Sequence, residues 1–283
     1  MKKYLFLFLI FLATPAFAGF ESVIQYYNAA GGGEPPTYPT PAADWKMDSG
    51  ALTTDSSGNG NTLTDAISGT DLDTTVYVEG TAAALFDEND DRLTLADASL
   101  SAGFWGKSDG GSLSGTVCSA FNSASVAADG AIIAKYHAPN NLRTYRIIVD
   151  SATTSVEFWI GVLFESNNIG ISNITQGSQQ EHATDIATNH WYATCVSLDS
   201  DGTDYRIRLY DCGTDNNPES CSHTGTDATG TFALPMQILN AGLAIGVNTD
   251  ESTGFLGRID RTTVWGSELS TGEMDAWAAE LGI

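Results

Sequence analysis

Residues 144–160 read TYRIIVDSATTSVEFWI. Thr144–Val149 and Ser155–Ile160 are short runs of β-branched and aromatic residues, and DSATT between them is small, polar and turn-forming. Two such runs around such a turn predict a β-hairpin. The same reading extends outward in both directions. Asp204–Tyr210 places Tyr205, Ile207 and Leu209 on one face and Arg206 and Arg208 on the other. Gly115–Phe121, His190–Leu198, Gly242–Val247 and Leu256–Trp265 are further strand candidates. Short runs of period two separated by Gly, Asn, Asp and Ser predict an antiparallel two-sheet sandwich. It would hold about 12 to 14 strands in one domain of roughly 240 residues, enough to bury a sizeable core.

One helix closes the chain. Ser270 and Glu273 have the spacing of a capping box. Met274, Trp277, Ala278 and Leu281 follow on one helical face, which predicts docking onto the sandwich.

The start reads differently. MKKYLFLFLIFLATPAFA (1–18) has two lysines, an apolar run and a small-x-small site, the pattern of a signal peptide cut after Ala18. The run is too short to span about 30 Å of hydrocarbon as an anchor. Residues 19–43 contain AAGGGEPPTYPTPAA, a Gly- and Pro-rich arm or linker. Within that arm SVIQYY (22–27) has strand propensity and could pair with a neighbouring subunit. The domain proper is then residues 44–283.

The formal charge is −23, and loss of Lys2 and Lys3 with the leader takes it to −25. Such a chain is repelled by phosphate backbones and anionic headgroups, which excludes nucleic acid and membrane insertion from the expected partners. Its acidity suits divalent cations, or simply keeps an exported protein soluble. Four cysteines, an even number in an exported chain, predict two disulfides. Cys212 and Cys221 bracket the polar stretch GTDNNPES, so a local bridge across a hairpin end is the natural pairing. That leaves Cys118 with Cys195, a loop of about 77 residues worth about 4 kcal/mol in the chain-entropy account. A zinc site is the rival, but CxxC and paired-His spacings are absent.

Several landmarks then fall in order. They are Trp45–Asp48, Asp55-Ser-Ser-Gly-Asn-Gly-Asn61 with Leu63, and Ala84–Asp87 with Leu93 and Leu95. His190-Trp191, Asp199–Gly202, Gly242–Gly246, Gly257–Asp260, Val264-Trp265 and Leu269–Glu273 follow. In this order they resemble the laminin-G-like, concanavalin A-like jelly-roll superfamily over residues 45–281. Cys118 and Cys195 sit in strands similar to the two that pentraxins bridge, which supports the same pairing. The chain departs from the pattern at Phe121, where many relatives show Trp, and after Asp87, where Glu-Asn-Asp-Asp-Arg replaces Gly.

The resemblance implies an all-β jelly-roll sandwich, and a calcium ion near the DSSGNGN loop and the last strand. Carried over by position, the calcium ligands are Asp48, Asp55, Asn59 and Asp260. Turn chemistry alone also accounts for DSSGNGN, since Gly, Asn and Asp tolerate positive φ. Asp87–Asp91 is a competing cation site or a solvated acidic turn, without EF-hand spacing.

Glucanases share this sandwich, but a retaining pair of carboxylates on one strand face is missing. Glu157 stands alone in its strand, and Glu181 and Asp185 read as loop residues. The expectation is therefore a non-catalytic domain that binds carbohydrate or an extracellular protein. The alternative is a structural or adhesive subunit of a cell-surface, fibre or virion assembly, joined through the arm. Sugars are held by aromatic faces and fixed hydrogen-bonding groups. Trp105, in a Gly-rich loop, is the first candidate, and Tyr136 beside His137 and Trp159 are second ones, with the core favoured for Trp159 and Trp191. Asn173-Ile-Thr175 matches a glycosylation acceptor.

Overall fold

The structure, a computed structural model, describes residues 37–66, 69–88, 90–137, 142–160, 179–247 and 254–282. The leader, residues 19–36 of the arm with SVIQYY, and Asn173 lie outside these residues. The compact unit runs from Thr37 to Ile283, so it takes in seven residues that composition assigns to the arm.

The described residues form strands β1 (Ala43–Trp45), β2 (Thr64–Asp65), β3 (Asp71–Asp73), β4 (Ala83–Phe86) and β5 (Leu93–Leu95). Next come β6 (Gly115–Ser123), β7 (Gly130–His137), β8 (Leu142–Val149), β9 (Val156–Ile160) and β10 (Gln179–Glu181). The last are β11 (Trp191–Leu198), β12 (Asp204–Gly213), β13 (Ser222–Thr231), β14 (Leu243–Ile245) and β15 (Gly257–Trp265), before helix α1 (Thr271–Ala278). All pairings between these strands are antiparallel. An eight-stranded sheet runs β13-β12-β11-β6-β15-β4-β3 with β1 also on β15, and a seven-stranded sheet runs β10-β9-β8-β7-β14-β5-β2. This is the expected two-sheet jelly-roll sandwich with one short C-terminal helix.

Alternation decides which side chains enter the core. In β8 Tyr145, Ile147 and Val149 point between the sheets, and in β9 Val156, Phe158 and Ile160 do so. Tyr205, Ile207 and Leu209 of β12 enter from the other sheet, as their spacing requires.

The outer face of the eight-stranded sheet is also apolar, and α1 covers it. Met274, Trp277, Ala278 and Leu281 pack with Trp191, Tyr210 and Trp265 and the half-cystines. Ser270 and Glu273 form the capping box at the helix start. Cys118 and Cys195 stand directly opposite one another across β6 and β11 and are bridged, and Cys212 is bridged to Cys221. The entering chain is fixed on this same side. The ring centroids of Tyr38 and Trp265 are 5.5 Å apart, and the Trp265 Nε1–H donates to the Pro39 carbonyl at 2.8 Å. The Tyr38 hydroxyl donates to Glu280 Oε2 at 2.6 Å.

A buried ion pair sits between core and loops. Lys135 Nζ donates to Asp97 Oδ1 at 2.6 Å, with neither side chain more than 2% exposed. Removing one partner of such a pair costs about 3–5 kcal/mol, because the other charge is left buried and unpaired.

Candidate functional site

Trp105 does not present a ring to solvent. It lies fully buried, stacked on Tyr145 with centroids 4.3 Å apart, and its Nε1–H donates to the Leu113 carbonyl at 2.9 Å. The glycines around it make room rather than expose it. A Cβ at Gly115 would come within 2.1 Å of the Trp105 ring. Trp105 is therefore a core residue, which corrects its assignment as a ligand platform.

Tyr136 is placed otherwise. With Tyr145, Ile147, Phe158 and Ile160 turned inward, the alternate residues of β8 and β9 fall on the outer face of the seven-stranded sheet. Arg146 stands opposite Trp159 across β8 and β9, and opposite Ala134 across β8 and β7. Its guanidinium lies 4.2 Å from the Trp159 ring centroid and 4.8 Å from that of Tyr136. Arg143 lies 5.4 Å from the Tyr136 ring. The three sandwiched side chains are each less than a tenth exposed: Tyr136 8%, Arg146 9% and Trp159 7%. Trp159 thus belongs to this outer stack and not to the core between the sheets. Trp191 is buried, but beneath α1 on the opposite outer face.

Glu157 completes the stack. It is 2% exposed, and its Oε2 accepts the Trp159 indole N–H at 2.7 Å. Burial raises its pKa above the ordinary carboxylate value; the indole bond and Arg146 oppose the shift, while Asp150 and Glu181 add to it. Glu181 is a strand residue, not a loop residue, and stands directly opposite Glu157 across β9 and β10. Sequence spacing could not show this pair, because the two acids lie on different strands.

The four residues assigned to calcium divide between two places. Asp55 Oδ1 accepts the Asp44 and Ser57 amides at 3.0 and 2.9 Å, and its Oδ2 accepts the Asn61 amide at 2.8 Å. Asn59 Nδ2 donates to the Pro41 and Ala42 carbonyls at 3.0 and 3.1 Å. Both side chains tie the DSSGNGN loop back to the strand before it, with Gly58 and Gly60 at positive φ. Turn chemistry accounts for these contacts.

Asp48 and Asp260 form the second place. Asp260 is fully buried on β15; its Oδ2 accepts the amides of Val78 and of Glu79, the latter at 2.8 Å. Its Oδ1 has no hydrogen-bond partner. Burial drives its pKa well above the ordinary value, against the two amide bonds, and the charges of Glu79 and Asp48 push it further. Asp48 Oδ1 accepts the Thr81 amide at 2.6 Å, and its carboxylate occupies the space where a Cβ on Gly80 would lie. A buried carboxylate oxygen without a donor, next to a second carboxylate, has the chemistry of a hard-cation site. Among the described residues no three His, Cys, Asp or Glu side chains converge, so a cation here would complete its shell with main-chain or water oxygens. In the competing turn, Asp91 is buried and accepts the amides of Asp87 and Glu88, both at 2.9 Å, so it holds the turn itself.

No protein-family model and no curated protein matches this chain. Solved structures do. A crystal structure of an HCR/D protein is 11% identical over 84% of this chain, with a TM-score of 0.52, and this chain spans about half, 51%, of that one. Domain 4 of AbnA, an extracellular GH43 arabinanase of Geobacillus stearothermophilus solved with arabinotriose, is 16% identical. The match covers 84% of this chain and 98% of that one, at a TM-score of 0.49. A heptameric SAP-like pentraxin of Limulus polyphemus is 16% identical over 58% of this chain and 69% of its own, at 0.38. At such identities the likeness shows the fold alone, an antiparallel two-sheet sandwich.

Proposed function

We propose that this chain is an exported, non-catalytic domain that recognises carbohydrate and holds a structural calcium ion. The observation that carries the glycan reading is the Tyr136–Arg146–Trp159 stack on the outer face of the seven-stranded sheet. Aromatic edges offer apolar contact to sugar C–H groups, while a guanidinium wedged between two rings keeps its N–H donors in a fixed direction. Preorganised groups of this kind lose little entropy on binding. The pair Glu157–Glu181 does not read as a hydrolytic pair. One Glu157 oxygen is engaged by the indole, and the side chain is too covered to reach an anomeric carbon. Two disulfides fit an oxidising, extracellular location, and no described helix is long and apolar enough to cross a membrane.

Calcium would be held by Asp48 and Asp260. When bound, it would supply the positive charge that two adjacent carboxylates lack. Asp260 would then fasten β15 to the 78–81 segment through both of its oxygens. Asp55 and Asn59 serve the loop in this reading.

Affinity electrophoresis through arabinan, xylan, β-glucan and pectin tests the glycan assignment. The protein is expected to be retarded by at least one of them, and Tyr136→Ala to weaken that retardation about tenfold, the loss of one stacking contact and its neighbours. Free migration in all four gels, or a Tyr136→Ala chain that behaves as the wild type, would sink the reading.

A further inference from the structure

The two sheets are joined along one edge through His182. β10 ends the seven-stranded sheet and β13 ends the eight-stranded one. His182 follows β10 directly; its amide donates to the Val156 carbonyl of β9 at 2.9 Å, and its side chain is fully buried. The ring lies against the backbone of β13. A Cβ on Gly225 would stand 3.0 Å from the His182 Cε1 and 2.5 Å from Thr184 Oγ1. Gly225 has φ +71°, where the register of β13 on β12 shifts between Ile207 and Leu209.

The ring is bonded as a neutral base. Its Nδ1 accepts the Thr184 amide at 3.2 Å, so its proton sits on Nε2, which has no hydrogen-bond partner among the described residues. A second proton would go to Nδ1 and face the Thr184 N–H, donor against donor. Asp227, the anion that acts on the ring, is already engaged. Its Oδ1 accepts Arg208 and His223 at 2.7 and 2.9 Å, and its Oδ2 accepts Arg206 at 2.8 Å. Arg208 is shared with Asp275 of α1, and Glu181 and Asp185 on the segment of His182 itself are exposed. Burial, the largest influence, and His223 hold the imidazole pKa below its ordinary value, against Asp227 and the Thr226 main chain. We propose that His182 is an acid-released latch: neutral, it holds the end of β10 against β13, and protonated, it frees this edge of the sandwich. The latch is independent of what the domain binds.

The folded chain takes up this proton less readily than the unfolded one. The stability tied to it is therefore present above about pH 6.5, the unfolded imidazole value, and is lost as pH falls. Hydrogen exchange on the full chain with its disulfides intact, corrected for intrinsic rates, reads the opening. From about pH 7.5 to about pH 5, amides in 182–186 and in β13 should lose about tenfold in protection relative to those of β6 and β11. His182→Gln keeps an oxygen for the Thr184 amide but takes up no proton, so its protection should be the same at both pH values. Comparing each protein with itself removes any general loss of stability. In the wild type, the His182 Cε1–H resonance should titrate below about 6.5; that titration decides the matter if His182→Gln does not fold. Unchanged protection in the wild type, an equal loss in His182→Gln, or a titration of His182 at or above the ordinary value would each overturn the latch.

Discussion

On the outer face of the eight-stranded sheet, Trp191, Tyr210 and Trp265 lie beneath α1 and beside two disulfides. On the outer face of the seven-stranded sheet no described helix lies over the strands, and an arginine is pressed between a tyrosine and a tryptophan. Both faces carry large rings, but they differ in what lies against those rings. The first is closed by the apolar side of α1, and its arginines stand farther from the rings, Arg208 5.7 Å from Tyr210 and Arg261 5.8 Å from Trp277. The second has an arginine 4.2 and 4.8 Å from two ring centroids and a carboxylate that accepts the indole N–H. That contrast separates structural aromatics from candidate binding aromatics in this molecule, where exposure alone does not.

The largest test of it is Trp277→Ala, which removes a fully buried ring from beneath the first face. It should destabilise the domain by about 3–5 kcal/mol in denaturant titrations. Affinity for the retained polysaccharide should be unchanged at temperatures where the variant is folded. A matching loss of affinity would break the distinction between the faces.

Asp260→Asn should change sign with calcium. The folded state binds a proton at Asp260 more tightly than the unfolded chain does, so this group withdraws stability as pH rises above the ordinary carboxylate range. In EDTA at neutral pH the amide should therefore raise the melting temperature. In excess calcium it should lower it, because a ligand at 100 times its dissociation constant adds about 2.7 kcal/mol to a native site. The same sign in both buffers would remove calcium from this corner.

The smallest effect is expected at Asp73, near the edge of the covered sheet. Burial pushes its pKa up, but Thr75 and the Arg258 guanidinium at 2.8 Å bring it down to about 2. A depressed carboxylate contributes stability that is present above the unfolded value and is lost as pH falls towards 2. Arg258→Leu should shallow the acid limb of the stability profile by under about 1 kcal/mol, since the pair is partly exposed.

The strands with apolar alternation were readable, and so were the hairpin at 144–160, the Cys212–Cys221 bridge and the capping box at Ser270, because each depends on neighbours in sequence or on simple periodicity; Cys118–Cys195, 77 residues apart, followed by elimination and from the pentraxin resemblance. β13 (SHTGTDATGT) was not readable. It has no apolar alternation, and its place comes from pairing with β12. Trp105 misled because a Gly-rich loop suggests exposure, whereas here Gly115 opens the slot that buries the ring. Glu181 was hidden for a different reason. Its partnership with Glu157 is set by the register of β10 on β9, a non-local quantity that spacing along one strand cannot express. The calcium ligands were half legible, since position in a loop does not say which carboxylates backbone amides will satisfy.

The contacts of Tyr38 with Trp265 and Glu280 have a consequence for presentation. They bring the entering and leaving chain to the same side of the sandwich, behind the covered sheet. A bead, label or surface coupled at either end of the domain would stand on that side, so the stack would face outward whichever end was used. If the proposed glycan reading holds, a domain coupled beside Tyr38 or beside Glu280 should meet an insoluble polysaccharide with the same face.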